Sequence, residues 1–154
     1  MNLVDELHAI AAALLSAGVC HAVCGGVAVT MHGATRSTKD IDVLVAPEDL
    51  SRALEAIRPL GYLFAALPMV FDEGTTKERH VQGVSKIVDG SHLIVDFLLA
   101  TSSFTGFLDD RVEVTVPEGT LVVVSRDILL RMKRLAGRPQ DLADLEKLES
   151  ADGE

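Results

Sequence analysis

Apolar residues recur at helical spacing at the start of the chain. Leu3, Leu7, Ile10 and Leu14, with alanines between them and Gly18 beyond, predict an amphipathic helix over residues 2–17 with a glycine stop. Residues 19–24 are a short apolar run leading into Gly25-Gly26, and residues 27–32 then predict a helix ending at Gly33. After the polar stretch 34–39, Ile41, Val43 and Val45 alternate with Asp42 and Leu44 as in a strand. Pro47 at a first helical position, followed by Leu50, Ala53, Leu54 and Ile57, predicts a helix that stops near Pro59 and Gly61.

The second half carries strand-like runs at 62–67, 83–88, 93–99, 112–116 and 121–124. Asp89-Gly90 is expected to join a hairpin, and Glu118-Gly119 marks another turn. Ser125 is placed to cap a helix over 126–135 with Ile128, Met132 and Leu135 on its apolar face and Gly137 at its end. A last helix starts near Pro139; its leucine spacing predicts that Leu142, Leu145 and Leu148 are buried and that Asp141 and Asp144 lie on another side. No repeat or low-complexity linker interrupts the pattern, and residues 150–154 are expected to fray. The expected architecture is one α/β (α+β) domain over residues 1–154, a mixed central β-sheet flanked by helices.

Composition narrows the function classes. The 154 residues are enough for one hydrophobic core. A net charge of −9 disfavours broad, sequence-independent duplex binding, which rests on basic surfaces neutralising phosphates, so a nucleic-acid substrate would have to be gripped locally. Acidic residues at the N-terminus and the absence of a bilayer-length apolar run predict a cytoplasmic protein with no membrane partner. Cys20 and Cys24 are expected to be buried, reduced core thiols, because no third ligand accompanies them. His8, His21, His32, His80 and His92 follow no ligand spacing and receive no metal role.

The carboxylates change the picture. On a strand, Asp40 and Asp42 project from one face, and two like charges side by side call for a cation between them. Mg²⁺, a hard ion that takes oxygen ligands and keeps waters or substrate phosphates, suits such a pair. Asp96 is the single charge in the apolar run 93–99 and needs a partner if it is buried. Taken singly, Asp40-Ile41-Asp42 also reads as a solvated strand edge, and Asp96 as the partner of a buried Arg or Lys. Gly25-Gly26, where a strand gives way to a helix, lets backbone N–H groups approach a phosphate, although a plain tight turn needs glycine equally. Arg36 and Thr38, with Ser37 and Lys39, put positive charge and hydroxyls just ahead of Asp40. Lys133, Arg134 and Arg138 cluster near a helix terminus, and complementing the dipole accounts for Arg134.

Gly25-Gly26-Val27-Ala28, then residues 36–45 with Asp40-Ile41-Asp42, then Asp96 on a later strand, resemble the nucleotidyltransferase superfamily typified by the DNA polymerase β palm. The segment 129–144 is similar to the end of small stand-alone bacterial members, including abortive-infection toxin nucleotidyltransferases. The resemblance implies the nucleotidyltransferase fold and a two-metal transfer of an NMP from an NTP to an acceptor hydroxyl, with Mg²⁺ or Mn²⁺ as cofactor. In that reading Asp40, Asp42 and Asp96 are the catalytic metal ligands, and Asp96 also polarises the acceptor hydroxyl. Gly25, Gly26, Arg36, Thr38, Lys133 and Arg138 then bind the nucleotide phosphates, with Asp141 orienting a cation or touching the nucleotide.

The acceptor stays open at the level of sequence. The toxin-like reading puts it on tRNA or a protein, with an antitoxin or a second copy of the chain as partner. The alternatives are a small-molecule transferase of the antibiotic-modifying type and a non-catalytic nucleotide-binding module. With no long C-terminal extension to hold it, the acceptor is expected to be small, to bring its own surface or to bind across a dimer. Residues 62–71 and 104–108 are assigned either to the acceptor side or to core packing.

Overall fold

A computed structural model describes residues 2–33 and 40–152. Its order is α1 (Leu3–Ser16), β1 (His21–Cys24), α2 (Gly25–Met31), β2 (Ile41–Val45), α3 (Leu50–Ile57), β3 (Phe64–Ala65), β4 (Met69–Phe71), β5 (Arg79–Val88), β6 (Ser91–Leu99), β7 (Arg111–Val116), β8 (Gly119–Val124), α4 (Arg126–Ala136) and α5 (Pro139–Asp152). Asn2 caps α1 by accepting from Val4 N–H, and Ser125 caps α4 by accepting from Ile128 N–H. Gly137, at φ +62, ends α4 in the left-handed conformation that glycine enters without penalty.

The strands form one mixed sheet in the order β3-β5-β6-β2-β1-β8-β7, with β4 also paired to β5. β2 runs antiparallel to β1 and parallel to β6, and Asp89-Gly90 closes the β5–β6 hairpin. Strand alternation sorts the side chains onto two faces. Ile41, Val43, Val95 and Phe97, register neighbours across β2 and β6, are buried on one of them. Glu6 of α1 reaches that same face, where it pairs with Lys86 of β5 and accepts from the Tyr62 hydroxyl. The opposite face carries Asp42 and Asp96, with α2 starting against it at Gly25.

Three expectations need correction. The helix expected from Pro47 is broken into 3-10 turns at Pro47–Asp49 and Arg58–Leu60 around α3, because Pro59 removes a donor and Gly61 turns at φ +102. Only Phe64–Ala65 of residues 62–67 pairs as a strand; β4 is an additional strand, and β5 begins at Arg79, ahead of the expected apolar run. The polar start of β5 hid it from hydrophobicity, yet Arg79, His80 and Val81 pair with β4, and Val81 and Gln82 pair with β6. Cys24 is buried at the end of β1 as expected, but Cys20, which precedes the strand, is exposed.

Phe97 is 0 % exposed at the centre of the sheet. Phe97→Ala is expected to lower the unfolding free energy by about 3–5 kcal/mol in chemical denaturation, the usual cost of an unfilled aromatic cavity.

Candidate active site

The site is built on a register match. Asp42 on β2 and Asp96 on β6 are direct neighbours across a parallel ladder, so their carboxylates stand side by side on one face. Glycines make the room. A Cβ on Gly25 would lie 1.9 Å from Asp42 Oδ2 and 2.7 Å from its Cγ, and Gly25 has φ +67, so both space and backbone require glycine there. Gly83, opposite Asp96 on β5, would bring a Cβ to 3.0 Å from Asp96 Oδ1. Asp40 is exposed just ahead of β2.

Burial, followed by the charge of Asp96, raises the Asp42 carboxyl from its ordinary 3.8 to about 7; Asp40 adds to the rise while Lys133 and Arg138 oppose it. Burial and then Asp40 likewise raise Asp96. Burial, then Asp42, pushes the Cys24 thiol, paired in register with Asp42, well above its usual range. Among the described residues, no group of three His, Cys, Asp or Glu converges into a ready-made metal cage. The donor set suits a different arrangement. A pair of partly desolvated carboxylate oxygens, short of a counter-charge, fits a Mg²⁺ ion that takes one or two carboxylates and completes its shell with waters and substrate phosphates.

The opposite wall comes from α4 and α5. Lys133 is 6 % exposed. Its Nζ lies 3.3 Å from Asp141 Oδ1 and 3.0 Å from Asp144 Oδ2. Arg138 donates from Nε to Asp141 Oδ2 at 2.8 Å and from its backbone N–H at 3.1 Å. Burial pushes the Asp141 carboxyl up, but the Arg138 hydrogen bond and the charges of Lys133 and Arg138 outweigh it and hold it below the ordinary range. This cluster overturns the expected face of α5. Asp141 and Asp144 are buried and Leu142 is 56 % exposed, while Leu145 and Leu148 are buried as expected. A buried lysine requires anionic partners, and that requirement outweighs the leucine spacing.

A cleft of about 320 Å³ joins the two walls and is lined by Gly25, Gly26, Asp40, Asp42, Asp96, Lys133, Arg138 and Asp141. Every described residue singled out for nucleotide or metal binding in the sequence therefore borders this one space. Arg36 and Thr38 lie outside the described residues. Sequence reasoning missed Asp144 and Arg79 and left Met69, Phe71 and Phe104 undecided; of these, all but Asp144 line the cleft. Asp144 carried a signal in being three residues, about one helical turn, from Asp141. Arg79 carried none, because its strand was not recognisable.

Gly25→Ala is expected to cost about 2–4 kcal/mol of stability through left-handed strain and overlap with Asp42, as measured by chemical denaturation. Because the folded state holds the Asp42 proton up to about pH 7, it binds more protons than the unfolded chain between the two values. Metal-free stability from this group is thus greatest at low pH and lost as pH rises. The melting temperature of Asp42→Asn should gain on the parent across that window, by an amount equivalent to roughly 2–4 kcal/mol. Mg²⁺ at about pH 8 should narrow the gap by stabilising the parent alone.

No protein-family model matches the chain, and no curated protein does. Solved structures do. A Thermotoga maritima protein assigned to the nucleotidyltransferases superposes with TM-score 0.63 at 16% identity, over 96% of this chain and 92% of that one. The lincosamide antibiotic adenylyltransferase LnuA, bound to lincomycin, gives 0.58 at 15% identity over 95% and 96%. ANT(2″)-Ia with adenylyl-2″-tobramycin gives 0.60 at 15% identity over 96% and 88%. With this sheet order, this placement of helices and these neighbours, the chain has the nucleotidyltransferase fold.

Proposed function

We propose that the chain is a metal-dependent nucleotidyltransferase that moves an NMP from an NTP to an acceptor hydroxyl. The observation that carries this reading is the in-register pair Asp42 and Asp96, with Gly25 against Asp42 and Lys133 and Arg138 lining the same cleft. Asp42, Asp96 and Asp40 would hold the divalent cation, whose chemistry is to offset triphosphate charge and favour the acceptor alkoxide. The backbone at Gly25 and Gly26, at the start of α2, would approach the phosphates. Arg138, anchored on Asp141 but largely exposed, would take the nonbridging oxygens, and Lys133 would supply a fixed positive field from the cleft wall.

In the reaction the acceptor oxygen forms a bond to the α-phosphorus, the bond from that phosphorus to the pyrophosphate oxygen breaks, and pyrophosphate leaves with its electron pair. Asp96, beside Asp42 in register and bordering the same cleft, is placed to receive the acceptor proton.

An RNA or protein acceptor is one reading and a small molecule the other. The small molecule is favoured by the apolar lining of Met69, Phe71, Val81, Leu98 and Phe104 beside Asp96, in a chain of net charge −9. The complexes of LnuA with lincomycin and of ANT(2″)-Ia with adenylyl-2″-tobramycin support it as well.

The test is incubation with NTP labelled at the α-phosphate, Mg²⁺ or Mn²⁺, and a cell extract split into RNA, protein and metabolite fractions. Label should pass to one fraction with the parent chain and fall by about 100-fold or more with Asp42→Asn. Equal labelling by the two proteins, or nucleotide binding with no transfer to any fraction, would leave only a binding module.

A further inference from the structure

Arg79 has no role in the transfer described above, yet it borders the same cleft. It is the first residue of β5 and only 9 % exposed. Register fixes its surroundings. Gly83 faces Asp96, Val81 faces Leu98 on one side and Met69 on the other, and Arg79 faces Phe71. Alternation keeps Arg79, Val81 and Gly83 on one face, so a continuous row runs from the Asp96 carboxylate across Leu98 and Val81 to the Arg79 guanidinium. Phe104, from the 3-10 turn Ser102–Phe104, closes this end and stacks on Phe107 with ring centroids 5.4 Å apart.

The guanidinium is held from two directions. Nη2 donates to Asp72 Oδ2 at 3.0 Å, and the Arg79 Cζ lies 5.5 Å from the Phe71 ring centroid. Asp72 adopts φ +52, a conformation uncommon outside glycine that Asp tolerates better than most residues. Nη1 is buried and has no hydrogen-bond partner among the described residues. A buried cationic donor left unpaired is costly, and a fixed guanidinium with an unused N–H matches the geometry of an oxyanion. Beyond Asp72, the cleft shared with Arg79 is lined at this end by the apolar Met69, Phe71, Val81, Leu98 and Phe104, of which Met69 and Phe71 are 50 % and 36 % exposed. A fixed N–H donor for an oxyanion, an apolar wall and a carboxylate at the far end of the row thus occupy one half of the cleft.

We infer that this half of the cleft is the acceptor subsite, built for a small hydroxyl-bearing molecule with an apolar body and an oxyanion such as a carboxylate or phosphate ester. Arg79 Nη1 binds the oxyanion, Phe71 and Phe104 cover the apolar body, and the hydroxyl is presented toward Asp96. The inference rests on the transferase reading for the role of the hydroxyl, but not for the binding of an apolar oxyanion.

Two probes with the same aromatic body separate these possibilities. 8-Anilino-1-naphthalenesulfonate carries an oxyanion, and N-phenyl-1-naphthylamine lacks it. The parent chain should bind the sulfonate at least about tenfold more tightly than the neutral probe. Arg79→Met should abolish that preference while leaving the neutral probe bound, which also reports that the apolar wall is still folded. Arg79→Lys, which keeps the charge and loses the fork, should give an intermediate preference, and Phe71→Ala should weaken both probes. A preference that survives Arg79→Met, or binding of both probes unchanged by Phe71→Ala, overturns the subsite.

The labelled-NTP experiment supplies the second arm. Label in the metabolite fraction, on an acceptor that still binds an anion exchanger after the nucleotide is cleaved off, supports the subsite. Transfer to RNA, to protein or to a neutral or cationic metabolite overturns it and leaves the transferase intact. If no fraction is labelled, the transferase reading fails, and the probe pair alone decides whether this half of the cleft binds apolar oxyanions.

Discussion

The structure turns on the repulsion between Asp42 and Asp96. Neighbouring strands lie about 4.8 Å apart. Two ionised carboxylates at such a spacing repel by about 3 kcal/mol at the effective dielectric of a partly buried site. A fold that needed only stability would place apolar residues on both strands, as it does on the opposite face with Val43 and Phe97. Here the surroundings instead preserve the pair. Gly25 and Gly83 give up side chains to make space for the two carboxylates, and α2 begins at the point where its N-terminal backbone meets Asp42.

The fixed cations do not discharge the pair. Lys133 sits between Asp141 and Asp144, so two carboxylates already match its charge, and Arg138 is anchored on Asp141. Both lower the Asp42 carboxyl, yet burial and Asp96 prevail and it still rises to about 7. In the proposed reading, a divalent cation brought with a polyphosphate would meet the remaining negative charge. Removing one member of the lysine cluster would strand a buried charge, which is why α5 turns its aspartates inward.

Much of this was legible in the sequence, because local patterns encode it. The alternation through Asp40-Ile41-Asp42 gave the strand and its face, the glycine pair marked the strand-to-helix turn, and the lone acid in residues 93–99 marked the partner strand. Tertiary electrostatics hid the rest. The leucine spacing of α5 placed Asp141 and Asp144 outward, since no local rule records that Lys133 waits for them in the interior. The half of the cleft that holds Arg79 was hidden for another reason: β4 is three residues long and β5 opens on Arg-His-Val-Gln, so neither shows a hydrophobic period, and only the pairing of β4 with β5, and of β5 with β6 from Val81 onward, turns them into sheet.

The central claim is that Asp42 and Asp96 form a cation-dependent polyphosphate site. Calorimetric titration of the parent chain and Asp42→Asn with an NTP, in Mg²⁺ and again in chelator, tests it most directly. The account predicts saturable binding by the parent in Mg²⁺, weakened by about tenfold or more in chelator and in the variant. Binding of equal strength in chelator, or undiminished in Asp42→Asn, would contradict it.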